Sequence, residues 1–293
     1  MSATVVDQVK MQLLLAFDQP GCPLCRLRRD VEHSYVLSLL GERFSDDASR
    51  RRLRSSLGLC HTHAWTLQAL ERQVNRTGMA TGMLYEELTE WVLQVLRAYL
   101  AQVPAAGASV APGGALLPIR LWRRLKCWVT QRENTRRRAL PFMQVLLSQL
   151  KPQSGCPACE AGVSGERDAI ENLVCGLSDA AFRAAYGASD GLCLVHLRSA
   201  LTAVHSEADA CFLVESTLCK LKILTHDLNE FLRKHSWQYH HEPKLAWEQA
   251  SWIRAIAFMV GEAPSDVAEH TQRVRLQAQL DYRERVTCLE SGS

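Results

Sequence analysis

The sequence predicts an all-α fold, and three observations carry that expectation. Apolar residues recur at spacings of three and four over long stretches, alternating apolar–polar runs are hard to find, and prolines and glycines punctuate the chain beside closely spaced cysteines. The architecture expected is two duplicated helical halves, each with a Cys3His metal site, followed by a C-terminal helical extension.

Taken in order, the N-terminal stretch interleaves Asp7 and Lys10 with Val6, Val9, Leu13, Leu14 and Phe17, which reads as a helix with one apolar side and not as a signal peptide. Gly21-Cys22-Pro23-Leu24-Cys25 follows, with Pro23 suited to the first position of a helix. Gly58-Leu59-Cys60-His61-Thr62-His63 opens another helix, because Gly58 permits the turn and Cys60 and His63 fall three residues apart on one face. Leu84, Leu88, Trp91, Val92, Val95 and Tyr99 mark a longer helix. The uncharged, small-residue stretch at 103–118 reads as a flexible linker.

Beyond the linker the pattern begins again. Gly155-Cys156-Pro157-Ala158-Cys159 repeats the first cysteine pair 134 residues on, from 22 to 156, and Gly191-Leu192-Cys193-Leu194-Val195-His196 repeats the second after 133, from 60 to 193. Two matched motifs at matched distances argue for a repeat, so 1–102 is taken as the first Cys3His unit and 119–234 as the second. Val214, Leu218, Leu221, Leu224, Leu228 and Phe231 predict a long helix late in the second repeat. Residues 235–293 form the expected C-terminal extension, rich in aromatic and histidine residues.

Bulk properties restrict the class without naming a function. A 47% hydrophobic and 22% charged composition suits an ordinary globular chain, and a net charge of +3 is too even to argue for a polyanion partner. No apolar run is long enough to span a bilayer, so a cytoplasmic location is expected. In a reducing compartment, eleven cysteines are better read as thiols and metal ligands than as disulfides.

The candidate metal ligands are Cys22, Cys25, Cys60 and His63 in one site and Cys156, Cys159, Cys193 and His196 in the other. Three thiolates and one imidazole complete a tetrahedral shell, the arrangement of structural zinc, which predicts two zinc ions per chain. An iron–sulfur cluster is the alternative, since sulfur-rich sites with a histidine also hold iron. A Cys-x-x-Cys dithiol explains only half of each motif, and Arg26 and Glu160 after the pairs exclude haem attachment. Cys127, Cys175, Cys211, Cys219 and Cys288 have no partner at ligand spacing and read as core or incidental residues.

Two further segments stand out. The basic, tryptophan-containing stretch at 120–138 reads first as a packed amphipathic helix, with nucleic acid or an anionic membrane as the less favoured partner. The segment holding His235, Trp237, His240, His241, Glu242, Glu248, Trp252 and Arg254 reads first as aromatic residues that seal two helices together, with a pocket for a small ligand, a catalytic group or a further metal as the less favoured reading, since no hydrolase or HExxH motif orders it.

With these residues quoted, the chain resembles an uncharacterised prokaryotic family of unknown function that pairs CPxC with G(F/L)CxxH twice and ends in a segment like KHxYRF…E…SWxRA. Here Lys234, His235, Trp237 and Tyr239, then Glu242, Glu248, Ser251, Trp252, Arg254 and Ala255 correspond to that ending, while Ser236-Trp237-Gln238 departs from it. The resemblance implies no activity. The expectation is a metal-binding helical protein that binds a protein partner or a small ligand, with an iron–sulfur sensor and an enzyme using the C-terminal segment as alternatives.

Overall fold

The structure is a computed structural model, and it describes residues 3–41, 46–74, 77–102 and 141–263. Among these residues all regular structure is helical: α1 (Ala3–Phe17), α2 (Pro23–Leu39), α3 (Asp47–Ser55), α4 (His61–Val74), α5 (Met79–Gln102), α6 (Pro141–Gln149), α7 (Pro157–Gly176), α8 (Ala180–Ala188), α9 (Leu194–Ala203), α10 (Glu207–Lys234) and α11 (Ala246–Val260). The all-α expectation therefore holds. The expected linker at 103–118, the basic stretch at 120–138, Cys127 and Cys288 lie outside the described residues.

The chain divides into two compact units that do not follow the expected boundary. One takes Met1–Ser34 and Glu160–Ser293, and the other takes Tyr35–Cys159. Both divisions fall inside a helix, α2 and α7, so each unit receives part of a helix that starts beside a cysteine pair. A recurring motif marks positions along the chain; it carries no information on which segment a helix packs with.

In the first unit, α1 meets α8. Phe17 stands edge-on to Phe182 and Tyr186 at centroid separations of 5.2 and 5.7 Å, amid buried Leu13, Leu24, Leu173, Leu177 and Leu213. Gly176 is needed here, because a Cβ would come within 2.7 Å of the Phe182 ring. Asp179 starts α8 by accepting from the Ala181 amide at 2.9 Å and pairs with Lys10 at 2.8 Å.

The late helices are joined by buried ion pairs. Lys234 at the end of α10 donates to both oxygens of Glu248 in the first turn of α11, at 2.7 and 2.8 Å, and to the Pro243 carbonyl at 3.0 Å. Arg254 donates to buried Asp227 at 3.1 Å. These pairs alter the expected face of α10. Its buried positions are Leu213, Thr217, Leu224, Asp227 and Lys234, whereas Val214 and Leu218 are exposed. The helical period was legible, but its phase was not, because two charged residues occupy the covered side.

In the second unit, Leu53, Leu67, Leu70, Leu84, Leu88 and Leu146 are buried along α3, α4, α5 and α6. The carboxylate of buried Glu71 caps α5, accepting from the Ala80 and Thr81 amides at 2.7 and 2.9 Å.

Candidate metal centres

Each centre is assembled from two helix starts. Pro23 and Pro157 are the first residues of α2 and α7, so Cys22 and Cys156 precede the helix while Cys25 and Cys159 lie in its first turn. Cys60 and Cys193 precede α4 and α9, whose first turns hold His63 and His196. Gly21, Gly58 and Gly191 adopt φ of +89°, +91° and +78°, a region that glycine enters without a Cβ penalty.

The structure brings all eight predicted ligands together, but in a pairing opposite to the expected one. The first centre joins Cys22 and Cys25 to Cys193 and His196; the second joins Cys60 and His63 to Cys156 and Cys159. The expectation that Cys22 and Cys25 close with Cys60 and His63, and Cys156 and Cys159 with Cys193 and His196, is overturned. Spacing determines which residues share a helix turn. It cannot distinguish two equivalent half-sites as the partner of each pair.

The spacing of the ligand atoms suits a single ion. In both centres the four lie within 4.8 Å of one another. A tetrahedral ion with ordinary zinc bond lengths separates two sulfurs by about 3.8 Å and a sulfur from a nitrogen by about 3.6 Å. Cys25 and Cys193 Sγ are 3.8 Å apart, and His196 Nδ1 is 3.1 to 3.4 Å from the three sulfurs of the first centre. Cys60 and Cys159 Sγ are 3.7 Å apart, and His63 Nδ1 is 3.2 to 3.7 Å from the sulfurs of the second.

The centres differ in burial. Cys22, Cys193 and His196 are buried in the first and Cys25 is half-buried; in the second, His63 is buried and all three thiols are half-buried. Their electrostatics divide the thiols: in each centre one is held low and another is raised, Cys22 in the first and, by burial and the neighbouring Cys156 and Cys60, Cys159 in the second, up to about 12. Burial pushes the Cys22 thiol up, whereas hydrogen bonds from Cys22 and Cys25 hold Cys193 far below the usual thiol range. Burial opposes charging of His196, but contact with Cys193 and Cys25 outweighs it and pushes the imidazole up to about 10. Burial likewise opposes ionisation of Cys156, and hydrogen bonding to His63 and nearby amides brings it down to about 6. One thiol in each centre is thus biased towards thiolate, the form that binds metal.

Several supporting residues were not anticipated. Asp190 accepts from the Gly21 amide at 2.7 Å and Glu262 from the Cys22 amide at 3.0 Å. Glu166 Oε1 lies 3.2 Å from His196 Nε2, and its Oε2 accepts from Arg28 at 2.8 Å. A sequence signal for Glu166 did exist: it follows Cys159 by seven residues, as Glu32 follows Cys25.

The C-terminal candidate residues have other tasks. Glu242 pairs with Arg233 at 2.6 Å, Glu248 with Lys234 and Arg254 with Asp227. His235 Nδ1 lies 2.6 Å from the Phe231 carbonyl oxygen, Trp237 is 80% exposed, and Trp252, His240 and His241 are exposed as well. Of the proposed pocket residues, Arg254 borders a cavity of about 70 Å³, which lies against Cys22 and Cys193 with Asp190, Lys220 and Glu262 in its wall. Cys175, Cys211 and Cys219, expected to be core or incidental, are exposed and so not core.

Fold and sites together define a helical protein with two Cys3His groups able to bind metal. Residues 10–266 match the model of DUF6062, a family of unknown function, and the chain belongs to that family. No curated protein and no solved structure matches it. Among the described residues, no helix is long and apolar enough to cross a membrane.

Proposed function

We propose that this is a zinc-stabilised helical binding protein of the cytoplasm, whose two ions hold the fold and perform no chemistry. The observation that carries the reading is the closed shell: four protein ligands surround each position at single-ion spacing, leaving no site for a substrate or an activated water. A polynuclear iron–sulfur cluster interposes iron and sulfide between its ligands and holds them further apart than one ion does, which favours zinc. The binding role is assigned to the small cavity beside Cys22 and Cys193, whose wall includes the charged residues Asp190, Lys220, Arg254 and Glu262 and so suits a small polar ligand.

Metal analysis of chelator-free protein tests the zinc reading: two zinc per chain and no visible absorbance are expected, and brown, iron-rich protein would overturn it. Isothermal titration with small zwitterionic and anionic compounds tests the cavity. Heat that persists unchanged in K220A and R254A proteins places binding elsewhere.

A further inference from the structure

We propose that Glu166 is the positioning residue of the first centre, holding His196 in the tautomer and orientation that present Nδ1 to the metal. The proposal rests on the zinc reading above. In the first centre Nδ1 is the ring nitrogen that faces the three sulfurs, so metal binding there requires the remaining proton to sit on Nε2. His196 Nε2 is buried and makes no hydrogen bond in the structure, and the carboxylate oxygen 3.2 Å away is the acceptor within its reach that this tautomer needs.

Glu166 is itself fixed. Its second oxygen accepts from Arg28 Nη1 at 2.8 Å, and Arg28 Nε donates to Glu32 at 3.1 Å. The carboxylate side chain is 16% exposed and that of His196 is 5% exposed, so little water competes for the contact. Arg28 follows Cys25 by three residues on α2, so the helix that supplies a thiolate also anchors the carboxylate that orients the imidazole. A glutamate stands seven residues after the second cysteine of each pair, Glu32 after Cys25 and Glu166 after Cys159.

The test follows zinc release to an excess of chelator, read with a chromogenic indicator, for the full chain and its E166Q and E166A variants. To assign the signal, the same substitutions are made in a C60S/C156S background, in which the first centre alone keeps its ligands. The expected result is a roughly 10- to 100-fold weaker hold on one zinc equivalent in E166A, with the other equivalent unchanged. Gln keeps an acceptor oxygen at the same reach, so E166Q recovers part of the loss. The His196 imidazole nitrogen resonances supply a second readout, since E166A is expected to lose the Nε2-protonated signature. Two zinc equivalents released at wild-type rates from E166A would overturn the proposal. So would a lower melting temperature with no change in zinc affinity, which would make Glu166 a packing group only. A wild-type chain without zinc would instead overturn the metal reading.

Discussion

At the scale of single residues, positive-φ glycines and buried carboxylates set the geometry around the helix starts. Gly58 stands at φ +91° with Leu88 Cδ1 only 3.0 Å from where a Cβ would sit, so both conformation and space oppose a side chain. G58A is expected to lower stability by about 1–3 kcal/mol in denaturant unfolding, and to weaken zinc at the second centre, because Cys60 follows two residues later. Glu71 carries a pH-dependent effect. Burial alone would raise its carboxyl, but hydrogen bonds from Thr81 and Ala80 outweigh it and hold the group below the ordinary glutamate range. A lowered folded value means that the stabilisation is complete above the unfolded value and is lost as pH falls through the folded one. E71Q should therefore cost about 1 kcal/mol near neutral pH, and its unfolding curve should converge with that of wild type in acid.

At the scale of elements, the α10–α11 pair depends on Lys234 and Glu248, both buried and both fully engaged. E248A leaves the buried ammonium with only Glu230, at 4.0 Å, as a counter-charge and should cost about 3 kcal/mol, while the double exchange K234M/E248L should recover most of that loss. Thermal melts of the three chains decide the matter, and equal destabilisation of single and double variants would refute it. This pair also shows what the sequence concealed. Helix existence was legible from the spacing of Val214, Leu218 and Leu221, but the covered face is Leu213, Thr217, Leu224, Asp227 and Lys234. Apolar periodicity assumes that charge faces outward, and a buried ion pair breaks that assumption. In the C-terminal segment the carboxylates and the histidine that suggest a pocket are engaged locally, Glu242 with Arg233, Glu248 with Lys234 and His235 with the Phe231 carbonyl, contacts that residue types alone do not reveal.

At the scale of the whole molecule, the ligands themselves were legible to the last residue because each half-site is local: Cys-x-x-Cys at one helix start, Cys-x-x-His at another. Their pairing was not legible, since two identical half-sites offer two solutions of equal chemistry. Serine variants separate the solutions. C22S/C193S should leave about one tightly held zinc per chain, and C22S/C60S should leave none that survives a chelator challenge. The reverse order would restore the pairing within each repeat. Limited proteolysis adds an independent check, because chelator treatment of a metal-loaded chain should expose cleavage sites in both compact units.

The exchanged pairing also imposes an order in time. Residues 60–63 and 156–159 lie inside the interval from 22 to 196, so the two ring closures are nested, the second centre within the first. A chain growing from its N-terminus completes the inner set when residue 159 emerges, while Cys22 and Cys25 must wait for His196. Once metal fills both groups, Cys22 and Cys25, the first of the eight to be made, are among the last to be capped, because their set is complete only when His196 has emerged.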